Sequence, residues 1–186
     1  MPLAASEPRK EVHGRQIDMR IYAREDGLFD VEARLVDTKP FAYMRPGHSN
    51  LHPAQAPLHD LWVRVTLDTR YEVRGIHASM DATPWAICKD ASNALQSLVG
   101  QRIARGWSTQ VKERLQGTSG CTHIRELLVT LGTPALQGIR AICRDQMPAE
   151  DPERVPANLN TCYAYAQERE VVKMIWPTHH RLLPSS

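Results

Sequence analysis

The most chemically specific string in the chain is Gly117-Thr118-Ser119-Gly120-Cys121-Thr122-His123. Two glycines free the backbone where a helix is about to begin, so the Cys121 thiol sits among unpaired N–H groups at the positive end of a helix dipole. That setting lowers a thiol's pKa and favours the thiolate as nucleophile or metal ligand. The competing reading is a small buried hydrophobe at a tight turn. His123 lies two residues on, about 200° around a regular helix. It can share a centre with Cys121 only if Cys121 lies in the non-helical lead-in. Its near-neutral pKa suits proton transfer, while the stripe it forms with Leu127 and Leu131 also fits a hydrogen-bonded core histidine.

His59-Asp60 stands where a long loop enters a strand. Adjacent strand side chains point to opposite faces, so the two cannot form a simple dyad. Either one supplies a general base or a ligand to a centre beneath the loop, or His59 caps the loop while Asp60 pairs with a surface arginine. Asp81 could cap a turn or act as a carboxylate, and Cys88 falls on the apolar face of a helix opened by Pro84. His59, Asp81, Cys88, Cys121, His123 and Cys162 together offer enough nitrogen, oxygen and sulfur for a zinc or iron centre, although their spacing matches no standard zinc signature.

The elements that must position these groups follow from periodicity. Ile17, Met19 and Ile21 fall two apart, and after Asp26-Gly27 the alternation resumes at Phe29, Val31, Ala33 and Leu35, which predicts a hairpin. Leu61, Val63, Val65 and Leu67, a turn at Asp68 to Arg70, and Val73 to Met80 predict a second. Between them, Thr38 to Pro57 holds Pro40, Pro46, Pro53 and Pro57, too many for a regular element. A loop of that length invites a covering role, with Tyr43, Arg45, His48 and His52 as its polar contacts. Thr83-Pro84 then predicts the capped start of a helix carrying Ile87, Cys88, Ala91, Leu95 and Leu98. Further helices are expected from Ser108 to Gln116 and from Cys121 onward, the latter broken or kinked at Gly132-Thr133-Pro134. Val171 to Trp176 reads as an edge strand.

Strands followed by helices predict an α+β fold, an antiparallel sheet built from two N-terminal hairpins and packed on one face by C-terminal helices. The expected organisation is a flexible N-terminus over residues 1–10, a single α+β domain over 11–143, a proline-rich linker or surface wrap over 144–160, and a segment over 161–186 packing back on the domain.

Composition narrows the class of function. Among 186 residues, Lys+Arg 23 against Asp+Glu 21 gives only +2, which argues against nucleic-acid or anionic-membrane binding. No apolar run approaches the roughly 18 residues of a spanning helix, and Met1 to Lys10 lacks the core of a secretory signal, so a cytoplasmic protein is expected. The four cysteines form no CxxC pair. GxGxxG, GxxxxGK[ST] and GxSxG are all missing, so no nucleotide cofactor and no serine-hydrolase elbow is expected.

The strings Asp26 to Glu32, Leu35 to Lys39, Pro57 to Trp62, Pro84 to Cys88 and Gly120-Cys121-Thr122-His123, in that order, carry a resemblance over about residues 10 to 176. The chain resembles the uncharacterised bacterial family catalogued as domain of unknown function 2889. Near the tail that family favours Cys-His-Ala, whereas here Cys162 is followed by Tyr163 and Ala164. The resemblance implies a bacterial cytoplasmic protein and a loose association with the catabolism of aromatic compounds.

The leading expectation is a small-molecule enzyme: a lyase, isomerase or hydrolase using acid/base or metal-assisted chemistry on an acidic or phenolic substrate. His59 or His123 would transfer the proton, with Asp60 or Asp81 orienting it or acting as base. Tyr43, Arg45, His48 and Trp62 would bind substrate, and Cys88, Cys121 and Cys162 would hold a divalent metal, zinc or iron. Homo-oligomerisation is compatible with this reading. The alternatives are a metal or iron-sulfur binding and delivery protein, and a regulatory module that contacts a partner protein.

Overall fold

The computed structural model describes residues 4–143, 155–156 and 158–182. Strands β1 (Gly14–Ala23), β2 (Phe29–Thr38), β5 (His59–Leu67) and β6 (Val73–Ala82) form an antiparallel sheet in the order β1-β2-β5-β6. The turn into β2 uses the Asp-Gly pair: Gly27 adopts φ 81°, which a side chain would resist, and the Asp26 carboxylate accepts the Leu28 N–H. Helices α1 (Trp107–Arg114), α2 (Thr122–Thr130) and α3 (Gly132–Cys143) follow. The fold is therefore α+β, as the order of periodicities predicts.

The period-two pattern of β2 decides which face is buried. Phe29, Val31, Ala33 and Leu35 point into the core together with Leu61, Val63, Val65 and Leu67 of β5. Against this face α2 packs on β2 and β5, and α3 packs on β1. Trp107 of α1 is buried and donates its indole N–H to the Leu128 carbonyl at 2.7 Å, so its one polar atom stays satisfied inside.

Several local expectations are corrected. The segment after Pro84 is a run of 3-10 turns, Ala86–Leu98, rather than an α-helix. Cys88, Ala91 and Ala94 pack on the core at every third residue, and Leu95 and Leu98 are buried three apart, which suits three residues per turn. Ile87 is left exposed. Thr83 caps no helix N–H; its hydroxyl donates to the Trp85 carbonyl. The proline-rich loop is not wholly irregular, because β3 (Tyr43–Met44) pairs with β4 (Leu51–His52).

The chain forms two compact units, Met1–Cys143 and Arg144–Ser186. In the second, the expected edge strand is instead helix α4 (Glu170–Ile175). Glu170 in its first turn favours the dipole and pairs with Lys173 at 3.6 Å, and Val172 accepts the Trp176 N–H four residues on. Most of the linker expected over 144–160 lies outside the described residues. Among the described residues no helix is long and apolar enough to cross a membrane.

Candidate functional site

The alternation that buries Leu35 also buries the next residue but one, Asp37, which is only 1% exposed. A carboxylate in the core stripe needs charged hydrogen-bond partners, since burying it alone would cost several kcal/mol. The sheet register supplies them. Arg15 of β1 lies directly opposite Asp37, and His59 of β5 lies opposite it on the other side. Directly opposed residues share a face, so Arg15, Asp37 and His59 form a row across three strands.

Within this row Arg15 grips the carboxylate with both arms, Nε to Oδ1 at 2.7 Å and Nη2 to Oδ2 at 2.8 Å, and also reaches Glu126 of α2. His59 Nδ1 lies 2.9 Å from Oδ2, and His13 Nε2 lies 3.4 Å from Oδ1. Helix α2 brings the remaining groups. The His123 ring stacks on that of His59 with centroids 3.9 Å apart, and its Nε2 is 3.8 Å from Asp37 Oδ2. Its Nδ1 is 3.7 Å from the Cys121 Sγ. Cys121 is the extended N-cap of α2, with φ −86° and ψ 130°. That lead-in lets it share a centre with His123 across the two-residue spacing.

The electrostatics divide the labour. Burial opposes ionisation of Asp37, but hydrogen bonds from Arg15 and His59 outweigh it and hold the carboxyl below its ordinary range. Burial pushes His59 below the usual histidine value, against the pull of Asp37. A neutral His59 facing an ionised carboxylate must carry its proton on Nδ1, which leaves the Nε2 lone pair for a substrate proton or an electrophile. Burial raises the Cys121 pKa, but the hydrogen bond with His123 and the backbone N–H groups of Ile124 and His123 bring it below its ordinary value. The side chains of His59 and His123 remain 12% and 23% exposed, so the site opens to solvent.

Other expected site residues lie elsewhere. Asp60 points to the opposite face of β5, away from Asp37 and His59, and takes both arms of Arg34, at 2.8 and 2.7 Å, which is the arginine pairing expected as the alternative. Trp62 shares that face, with the Arg34 guanidinium 5.0 Å from its ring centroid, beside a hollow of about 410 Å³. Asp81 is exposed and accepts the Ser79 hydroxyl. Tyr43 packs edge-on against His52. Arg45 contacts His48, which bonds the Pro84 carbonyl and stacks on Trp85, so the loop is anchored by its own polar residues. Cys88 packs against the core, and Cys162 is an exposed residue of the second unit. Among the described residues, the one group of three or more metal-competent donors is Asp37, His59 and His123, whose atoms lie within 4.8 Å of one another, and it contains no cysteine.

The stretch that carries this row and the α2 entry, residues 13–137, matches the family described as "protein of unknown function (DUF2889)". The chain belongs to that family. No curated protein and no solved structure matches the chain. In this DUF2889 protein the match contains Arg15, Asp37, His59, Cys121 and His123, and ends before Cys162.

The shifted groups make stability depend on pH in two steps. Because the folded His59 is held below the value of about 6.5 that it has when unfolded, the unfolded chain takes up the proton first and stability falls as pH drops below that value. Asp37, also depressed, contributes stability above about pH 4 that is lost as pH falls further through its lower folded value. Urea midpoints measured from pH 7.5 to 5 should decline in the wild type and decline less in His59→Gln. Equal slopes would show that His59 is not the group responsible.

Proposed function

We propose that this DUF2889 protein is a small-molecule enzyme of polar acid–base chemistry, a lyase, isomerase or hydrolase, in which His59 Nε2 is the general base. The observation that carries this reading is the 2.9 Å contact between His59 Nδ1 and the buried carboxylate of Asp37. A carboxylate behind an imidazole fixes its tautomer and orientation and stabilises the imidazolium formed on proton uptake. The contact of the His123 ring with the same imidazole supports a role for it as a second proton carrier. An aromatic substrate and a role in bacterial catabolism remain part of the proposal on the strength of the family resemblance.

Two measurements test it. Two-bond ¹H–¹⁵N spectra of the imidazoles at pH 7 should show His59 neutral and protonated on Nδ1; an imidazolium or the Nε2–H tautomer would overturn the base role. In D₂O, carbonyl compounds with acidic C–H groups, phenylpyruvate among them, should gain deuterium faster with the wild type than with His59→Gln.

A second reading, a bound cation, is favoured by the convergence of Asp37, His59 and His123, since two histidines and a carboxylate suit iron or zinc. The two hydrogen bonds from Arg15 to that carboxylate weigh against it, because they set a fixed positive charge beside the cation's position. Elemental analysis of the purified protein decides: stoichiometric zinc or iron would displace the metal-free reading.

A further inference from the structure

We propose that Cys121 is a nucleophile, activated by His123 with Asp37 behind it, and that it accepts the acyl group of an ester or thioester. This inference deepens the acid–base reading and rests on it for the second half of the reaction. It selects the hydrolase branch and the substrate class. Three groups stand in the order nucleophile, base, orienting carboxylate: Cys121 Sγ 3.7 Å from His123 Nδ1, and His123 Nε2 3.8 Å from Asp37 Oδ2. Free enzymes often hold such relays somewhat longer than a hydrogen bond and tighten them with substrate.

The position of the sulfur is built in. A Cβ on Gly120 would lie 3.0 Å from the Leu115 Cβ and 3.2 Å from its backbone, so any side chain there would press on Leu115, and glycine lets the chain pass this close before Cys121 without displacement. Arg125 of α2 also donates to the Leu115 carbonyl at 3.4 Å. The thiol is half-buried, and the start of α2 turns backbone N–H groups towards it. Cys88 is likewise partly buried against the core, Cys143 is buried in it and Cys162 is exposed; what sets Cys121 apart is the His123 imidazole and the N–H groups at the start of α2.

In the first step, His123 Nδ1 takes the thiol proton as the Sγ–C bond forms, and returns it to the departing alcohol or thiol as the C–O or C–S bond breaks. In the second, His59 Nε2 takes a proton from water as the water oxygen attacks the thioester carbon, the C–S bond breaks with the sulfur leaving as thiolate, and the proton held on His59 is released to solvent, from which the thiolate is reprotonated. The sum is hydrolysis, with no oxidant or reductant.

The test treats the full chain with p-nitrophenyl acetate and with S-phenyl thioacetate and locates the acetyl group by peptide mass spectrometry. Cys121 should be acetylated faster than exposed Cys162, and His123→Gln should slow that labelling by about 10²-fold, the usual worth of a general base. In His59→Gln the acetyl group should accumulate on Cys121, because the second step has lost its base. Labelling of Cys162 at or above the rate of Cys121, or labelling of Cys121 that ignores His123→Gln in a folded variant, would overturn the nucleophile. Rapid labelling of Cys121 with unaltered deacylation in His59→Gln would keep the nucleophile and overturn the His59 base instead.

Discussion

Asp37→Asn is expected to cost about 3 kcal/mol of folding stability and to lower proton-transfer turnover about 10²-fold or more. The substitution keeps the shape and removes the charge that two cationic or donating neighbours share. Removing one partner of a buried ion pair typically costs about 3–5 kcal/mol, because the other charge stays behind unpaired. Arg15 is 31% exposed and keeps Glu126 as a second partner, so the lower end of that range applies. For a chain of this size, about 3 kcal/mol corresponds to a fall of roughly 6–12 °C in Tm. Glu126→Gln provides the contrast. That pair is partly exposed on both sides and should be worth no more than about 1 kcal/mol. Urea denaturation of the two variants checks the order, and an Asp37→Asn protein as stable as the wild type would remove Asp37 from its central place.

Why the sequence reveals Cys121, His123 and His59 but not Asp37 is a matter of how each signal is written. A glycine-flanked cysteine before a helix is a local pattern, and a histidine at a loop-to-strand junction stands out by residue type. Asp37 is marked only by phase. It continues the series Phe29, Val31, Ala33, Leu35 by one more step of two, and a charged residue on the buried phase of a strand demands partners. Following the alternation to its end would have placed Asp37 in the core, but the partners depend on register, which aligns Arg15 and His59 with it across chain separations of 22 residues each. Asp60 and Asp81 attract notice for being acidic near the right junction, yet strand alternation sends Asp60 to the far face. The four-stranded sheet and its helical cover are legible because period two and period near four persist over whole elements. The segment after Pro84 is harder to read: Cys88, Ala91, Ala94, Leu95 and Leu98 face the core at spacings that an α-helix satisfies as well as 3-10 turns do, so periodicity does not separate the two. Val171 to Trp176 is apolar enough for a strand, and its helical state is decided by charge placement and local hydrogen bonding.

The row also explains how a polar site can exist inside a hydrophobic sheet. Leu35 and Leu61 lie opposite one another as the last apolar rung, and the next rung on the same face is Asp37 with His59. The carboxylate is thus bounded by core on one side and by the entry of α2 on the other. The low-dielectric side strengthens each hydrogen bond to it, while the partly exposed imidazoles face the side a substrate can reach.

His59→Gln and Asp60→Asn, one residue apart, should therefore give opposite results. Glutamine in place of His59 keeps bulk and a hydrogen-bond donor towards Asp37 but cannot accept and release a proton near neutrality, so turnover is expected to fall by about 10²–10⁴-fold. Asp60 belongs to the other face, where its carboxylate holds Arg34 beside Trp62. Asp60→Asn weakens that ion pair, whose carboxylate is buried and whose arginine is partly exposed, and should cost about 2 kcal/mol with turnover per folded molecule unchanged within a few-fold. Deuterium exchange into substrate, normalised to folded protein by circular dichroism, measures both variants on one scale. A loss of turnover in Asp60→Asn with full activity in His59→Gln would mean that the chemistry lies on the open face of the sheet, beside the Arg34 and Trp62 hollow, and that the buried row serves stability alone.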